Sequence, residues 1–390
     1  MIANRWVVLG VFVLSSTLNY LDRQALATLA PMLLEEFRLS NTDYGVVVAA
    51  FSITYAAAAP LAGLLIDRIG LTRGISLAVG LWSAAGICTG FVRGLGDLLA
   101  FRMVLGLGEA GGIPAAGKAI SIYLKPGERA LGHSLNQAAV SLGLILAPPL
   151  ATWLAISYGW RSAFVATGLM GLIWIPLWWR VRRVVPIAEE RIEESHRLAG
   201  PLRARRLAAL AFANGLSMVI YSLWTNWPVL FLVDRYRLTL VEAAWLVWIP
   251  PVFLAAGGMA GGWLSFRAMQ AGVPAVRART AACLAASGLA LITAAVPFLP
   301  NAGWAAAAIC VSVFSVGAFS VNMYSMPIDE FPARAAFAVS VLVSGYGLMQ
   351  TVVSPGIGYL IDGYGYQPVC ALAALTPAAA CGVLRWSERF

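Results

Sequence analysis

Gly63-Leu-Leu-Ile-Asp67-Arg68-Ile-Gly70-Leu-Thr-Arg73 separates two long apolar runs, roughly 43–66 and 74–92. A helix crosses a bilayer with about 20 mostly apolar residues, so each run is long enough to span. The charged piece between them reads as a tight hairpin at a membrane surface. Its glycines let helix ends approach closely, and its aspartate and arginines can latch to neighbouring helix ends.

Outward from this hairpin the same pattern repeats. Twelve apolar runs lie at roughly 6–30, 43–66, 74–92, 97–122, 130–156, 161–180, 206–232, 242–264, 280–298, 304–326, 335–360 and 367–384. The ninth and tenth share one uncharged stretch, divided at the turn-rich Phe298-Leu-Pro-Asn-Ala-Gly303. The composition agrees: 60% hydrophobic and 12% charged describes a polytopic membrane protein, not a soluble domain. The first run, Trp6 to Leu21, leads into more apolar chain, so no cleavable signal peptide is expected. The five cysteines lie inside apolar runs without CxxC spacing and read as small core residues, not disulfides or metal ligands.

A net charge of +9 invites a nucleic-acid reading, which the arginine positions refute. They cluster at the ends of apolar runs. With the N-terminus inside, twenty of the 27 Arg and Lys fall on cytoplasmic segments, five fall outside, and Arg23 and Arg102 lie within spans. The positive-inside rule then sets both termini in the cytoplasm. The block Arg180 to Arg206 carries eight arginines and Glu189, Glu190, Glu193 and Glu194, and reads as a solvated cytoplasmic linker. The expected division is a first six-helix half at 1–180, a linker at 181–205 and a second half at 206–390.

The halves resemble each other. Phe37-Arg38-Leu39-Ser40 answers to Tyr236-Arg237-Leu238-Thr239, and Tyr158-Gly159-Trp160 answers to Tyr364-Gly365-Tyr366. The hairpin motif returns as Gly262-Trp-Leu264-Ser-Phe266-Arg267, with Phe266 in place of the acid. Six spans per half put both halves in the same orientation, a parallel repeat with its transport site expected at the membrane midplane. Ser40-x-x-Asp43 and Thr239-x-x-Glu242 fit capping boxes opening spans two and eight. Asp43 and Glu242 are therefore expected to be caps rather than ligands.

Four charges interrupt spans: Asp22 and Arg23 in the first, Arg102 and Glu109 in the fourth. A charge at bilayer depth costs a few kcal/mol or more and is usually buried, paired and functional. Arg102 and Glu109 are seven apart and share a helix face about 10 Å apart along the axis. Asp22 and Arg23 are adjacent and diverge by about 100°, so one faces a cavity while the other meets a neighbouring helix. The repeat maps Asp22 and Arg23 onto Tyr221 and Ser222. The charged chemistry belongs to the first half, and the second offers neutral polar groups and aromatics. Tyr221 and Trp224, near the expected bend at Pro228, and Asn322 and Ser344 are its candidates for substrate contact. Lys118, near the end of span four, is expected to snorkel. His133 and His196 offer no ligand cluster.

These motifs carry a resemblance. The hairpin Gly63, Asp67, Arg68, Gly70 and Arg73 resembles the gating loop of the major facilitator superfamily. Within it, Asn19-Tyr20-Leu-Asp22-Arg23, Arg102-x-x-x-Gly106-x-Gly108-Glu109-Ala110, Tyr158-Gly159-Trp160-Arg161-x-x-Phe164 and Phe319-Ser320-Val-Asn322 resemble the anion:cation symporter family. That family includes bacterial sugar-acid/proton symporters and animal organic-anion transporters. The resemblance implies an all-α fold of twelve transmembrane helices in two parallel six-helix halves. It implies that Arg23 and Arg102 hold a substrate carboxylate, that Asp22 and Glu109 carry protons, and that Tyr55, with Tyr20, lines the cavity. Many members carry Asn eleven residues before the proline of span eleven; this chain has Ser344 before Pro355.

The expected function is proton-coupled uptake of a small organic anion, such as a sugar acid, by alternating access. Protonation of Glu109 is expected to free Arg102 for the carboxylate. The alternative is a proton-driven exporter of metabolites or drugs, against which two arginines argue for cationic cargo. An enzyme is not expected, because no metal cluster or nucleophile-base motif is visible. No cofactor is expected beyond the proton gradient, and the expected partners are the carboxylate, protons and the bilayer, with no nucleic acid. The expected setting is a bacterial inner membrane, with the monomer as the working unit.

Overall fold

The computed structural model describes residues 2–124, 128–184, 204–331 and 335–387. Every regular element among them is helical. The first half contains α1 (Ile2–Phe37), α2 (Asn41–Ile69), α3 (Leu71–Thr89), α4 (Leu95–Glu109), α5 (Gly112–Tyr123), α6 (Arg129–Tyr158) and α7 (Trp160–Val181). The second contains α8 (Ala204–Ser217), α9 (Val219–Asn226), α10 (Pro228–Tyr236), α11 (Leu240–Val247), α12 (Pro250–Gln270), α13 (Ala275–Ala290), α14 (Ala302–Glu330), α15 (Ala335–Tyr364) and α16 (Tyr366–Ser387). A 3-10 stretch, Leu291–Phe298, extends α13 and ends at the turn expected after Phe298. The expected linker lies mostly at 185–203, outside the described residues.

In hydrocarbon each backbone polar group must be satisfied within its own segment, so apolar runs fold as helices. Eleven stretches of the described residues are long and apolar enough to cross a membrane. The 36-residue α1, which carries Asp22 and Arg23, adds the twelfth element. Helix breaks subdivide some spans. The fourth divides into α4 and α5 right after Glu109, and the seventh into α8, α9 and α10, the last break falling at Pro228 as expected.

The internal repeat is visible in the backbone. Arg38 and Arg237 both adopt left-handed conformations, with φ of 51° and 55°. Gly159 and Gly365 follow at 84° and 74°. A left-handed arginine is uncommon, and finding one at both copies of the motif means the two turns share a geometry. The two capping boxes also form, Ser40 with Asp43 and Thr239 with Glu242.

The chain forms two compact units. One is Met1–Arg38 with Ala50–Glu193; the other is Leu39–Ala49 with Glu194–Phe390. The start of α2 thus groups with the second half. Within that unit Asp362 of α15 accepts hydrogen bonds from the backbone N–H groups of Asn41 (3.0 Å) and Thr42 (2.8 Å). It also accepts from the Asn41 amide (2.9 Å) and the Thr42 hydroxyl (2.6 Å). The first N–H groups of a helix lack partners within it, and the carboxylate supplies one. Gly45 and Gly358 allow this approach, since a Cβ on either would strike Ser354 or Asn41 backbone.

The first unit's core joins Phe12, Trp82, Trp174 and Trp178, all buried. Trp174 and Trp178 stack at 5.7 Å, and Phe12 meets Trp178 edge-on at 5.2 Å. In the second unit α12 packs on α14 through small residues. A Cβ on Gly257 would strike the Phe314 carbonyl, and one on Gly261 would strike Ala318. Gly257-x-x-x-Gly261 is a small-xxx-small seam, which holds membrane helices together by close packing. Gly257→Leu is expected to lower the melting temperature in detergent by about 5 °C or more through overpacking. Gly262→Leu, at a position where a Cβ would meet only Val321 at 4.0 Å, is its matched control. Equal melting temperatures for the two variants would refute the seam.

Candidate functional site

The four intramembrane charges gather in the first unit, and helix packing explains how. Glycines on α4 bring it against its neighbours: a Cβ on Gly106 would collide with Phe51 and Thr54 of α2, and one on Gly108 with Trp82 of α3. That approach carries Glu109, one residue beyond Gly108, toward α1. Glu109 is 1% exposed, and its Oε2 accepts from Arg23 Nε (2.8 Å) and Nη2 (2.5 Å). The Arg23 side chain is 24% exposed, while the Glu109 side chain is fully covered. The sequence expectation paired Glu109 with Arg102; the structure corrects this to Arg23. Arg102 remains an electrostatic neighbour of Glu109 and of Asp22, buried at 3%, with its guanidinium 5.9 Å from the Phe164 ring centroid.

Asp22 turns away from Arg23, as adjacent helical positions require. Its Oδ1 accepts from Thr167 of α7 at 2.7 Å. Its carboxylate lies against Gly86 of α3, where a Cβ would come within 2.8 Å of Oδ2. Oδ2 has no hydrogen-bond partner among the described residues; Glu109 has the Asn19 side chain as a hydrogen-bonding neighbour besides Arg23. Two buried carboxylates, that of Asp22 with an open oxygen, are groups chemically able to take up a proton. Two guanidiniums beside them balance the set.

Three rings surround the Arg23 guanidinium. Its carbon lies 4.8 Å from the Tyr20 centroid, 4.8 Å from Phe51 and 5.2 Å from Tyr55. Tyr20 and Tyr55 were expected near the site. Phe51, Thr167 and Gly86 were not singled out: phenylalanine, threonine and glycine carry no signal against an apolar helical background.

The Gly63–Arg73 hairpin forms at the end of α2. Gly63 faces Pro114 of α5 in ordinary contact, and Gly70 breaks the helix at a φ of 84°. Asp67 pairs with Lys118 at 2.8 Å, and Lys118 also donates to the Ile66 carbonyl at 3.1 Å. This corrects the expectation that Lys118 snorkels; it ties α5 to the loop. Arg68 and Arg73 are exposed.

The second unit places its candidates differently. Tyr221 and Ser344 are half-buried, and Tyr221 meets Tyr346 edge-on at 6.0 Å. Trp224 is 4% exposed and donates to Ser312 at 3.1 Å. Asn322 is fully buried and donates to the carbonyls of Gly261 (3.1 Å) and Ala318 (2.9 Å). The donors of both side chains are met inside the unit, while Asn322 Oδ1 has no hydrogen-bond partner among the described residues.

Known proteins place the chain. The Major Facilitator Superfamily profile matches residues 12–342. A hexuronate transporter of Escherichia coli (strain K12) is 26% identical over 393 residues, covering 95% of this chain and 91% of its own. A galacturonate transporter of Dickeya chrysanthemi is 29% identical over 279 residues, 67% of this chain and 81% of its own. Among solved structures, a bacterial homolog to the human lysosomal transporter Spinster superposes with a TM-score of 0.79 at 20% identity. That match covers 98% of this chain and 96% of the homolog. With the helical architecture, the parallel repeat and the loop at Gly63–Arg73, the profile match settles the family: the chain belongs to the Major Facilitator Superfamily.

Proposed function

We propose that the protein takes up a sugar acid, or a closely related small carboxylate, together with a proton. The observation that carries this reading is the buried Arg23–Glu109 ion pair, with a second acid and a second guanidinium beside it. A buried ion pair gives little stability compared with apolar packing, so its presence points to use. Protonating Glu109 breaks the pair's attraction and frees Arg23 N–H groups for a carboxylate. One anion and one proton leave the set neutral, far cheaper in hydrocarbon than moving the anion alone. The relatives are named for hexuronate, galacturonate and, for a probable transporter of Escherichia coli, L-galactonate; all three are sugar carboxylates.

The arginine distribution supports cytoplasmic termini in a bacterial inner membrane, and uptake follows from an inward proton gradient. The working cofactor is that gradient alone, and the monomer is the proposed unit. Purified protein screened against galacturonate, glucuronate, gluconate and a neutral hexose tests the reading. A true ligand raises the melting temperature by mass action, by about 2.7 kcal/mol of stabilisation at a hundredfold excess over Kd. The sugar acids are expected to stabilise and the hexose to have no effect. Stabilisation by none of the acids, or equally by the hexose, would reject the substrate class.

A further inference from the structure

The aromatic surroundings of Arg23 do more than line a site. We propose that Phe51 is a positioning residue of the carboxylate site: with Tyr20 and Tyr55 it forms a seat that holds the Arg23 guanidinium while its anionic partner changes from Glu109 to substrate. The inference rests on the symport reading above and deepens it.

The need for a seat follows from charge. Arg23 has two N–H groups on Glu109 Oε2. When Glu109 takes a proton, a largely buried cation loses its negative partner before the substrate has replaced it. An uncompensated charge in a low-dielectric setting is costly and tends to move. Aromatic faces attract a cation through the ring quadrupole, and most strongly where water is excluded. A phenyl face also takes up none of the guanidinium's N–H donors, which stay for the incoming carboxylate.

The three rings are held by contacts that do not depend on Glu109. Phe51 and Tyr55 lie one helical turn apart on α2 and stack at 5.6 Å with an interplanar angle of 26°. Gly106 of α4 presses on the same turn: a Cβ there would strike the Phe51 carbonyl and crowd the Tyr55 N–H. Tyr20 is three residues before Arg23 on α1. Gly143 of α6 packs behind it, where a Cβ would reach the Tyr20 Cβ at 3.0 Å. The two glycines press the ring-bearing helices toward one guanidinium. Phe51 is the informative member of the trio, because it has no polar atom with which to read the substrate. Whatever it contributes to binding passes through Arg23.

Fluorination separates this role from packing. Phenylalanines with one, two and three ring fluorines, placed at position 51 in the full chain, keep shape while weakening the ring face step by step. With galacturonate as probe, Kd is expected to rise progressively, to about tenfold for the trifluoro ring. Phe51→Leu is expected to bind at least as weakly as the trifluoro protein, and Phe51→Tyr to recover most of the affinity. The same series at Phe12, which packs against Trp174 and Trp178 in the core, is expected to leave Kd flat. Melting temperatures without ligand are expected to stay constant across the position-51 fluorination series. A flat Kd series at position 51, with wild-type binding intact, overturns the seat and leaves the symport reading standing. Absence of sugar-acid binding by the wild-type protein overturns that reading and the seat with it.

Discussion

Arg23→Ala is expected to weaken galacturonate binding by more than about a hundredfold. Truncating one partner of a buried, hydrogen-bonded charge pair between protein and ligand costs about 2–5 kcal/mol of binding, and about 2.7 kcal/mol is already a factor of a hundred. Arg23 hydrogen-bonds Glu109 at 2.8 and 2.5 Å, and its side chain keeps 24% exposure for a second anion. The truncation also strands Glu109 without its hydrogen-bonded cation. Two further proteins separate the effects. Arg23→Lys keeps the charge but loses the two-pronged fork, and is expected to bind weakly yet melt close to wild type. The double variant Arg23→Ala with Glu109→Gln removes the stranded carboxylate, and is expected to regain stability without regaining binding. Isothermal titration and thermal melts read both quantities. A folded Arg23→Ala protein with unchanged Kd would make the pair structural and move the carboxylate elsewhere.

The sequence revealed what stands out against an apolar background. Charges in spans one and four are conspicuous because hydrocarbon penalises them, and all four occupy one cluster in the first unit. Turns were equally legible: the repeated arginine before a capping box appears as the same left-handed residue at Arg38 and Arg237. Pairing between helices was not legible. Arg102 and Glu109 share a face by their spacing, but the acid's hydrogen-bonded partner comes from α1, 86 residues away. That choice depends on glycine contacts at Gly106 and Gly108, which set how far α4 approaches its neighbours. Phe51 was invisible for the opposite reason, since one more phenylalanine in a membrane helix carries no contrast. In the second half, Trp224 and Asn322 stand out in the sequence because they are polar at depth. Their donors are met by Ser312 and by backbone carbonyls, a use that spacing along one helix does not show.

Glu109→Gln gives the second large effect and tests the proton step itself. Glutamine matches a protonated carboxyl in size and polarity, so the variant is expected to fold. It cannot draw Arg23 with a negative charge, so the guanidinium is permanently available, and substrate affinity is expected to be retained or raised. The neutral amide also cannot release a proton on the inner side. In liposomes loaded with an inward pH difference, accumulation of galacturonate is expected to fall to background. Exchange of labelled for unlabelled substrate across the same membrane is expected to survive, because it requires the loaded protein to reorient but no net proton movement. The pH dependence of binding is expected to flatten, since the step that frees Arg23 is already mimicked. Loss of both accumulation and exchange would mean that Glu109 serves reorientation rather than coupling. Continued accumulation driven by the pH difference alone would exclude Glu109 as the obligatory carrier. The remaining buried acid of the cluster is then Asp22, held by Thr167 and open at Oδ2. In that event Asp22→Asn is the variant expected to keep exchange and lose accumulation, and the coupling proton would ride on the face of α1 that meets α3 and α7 rather than on the one that meets Glu109.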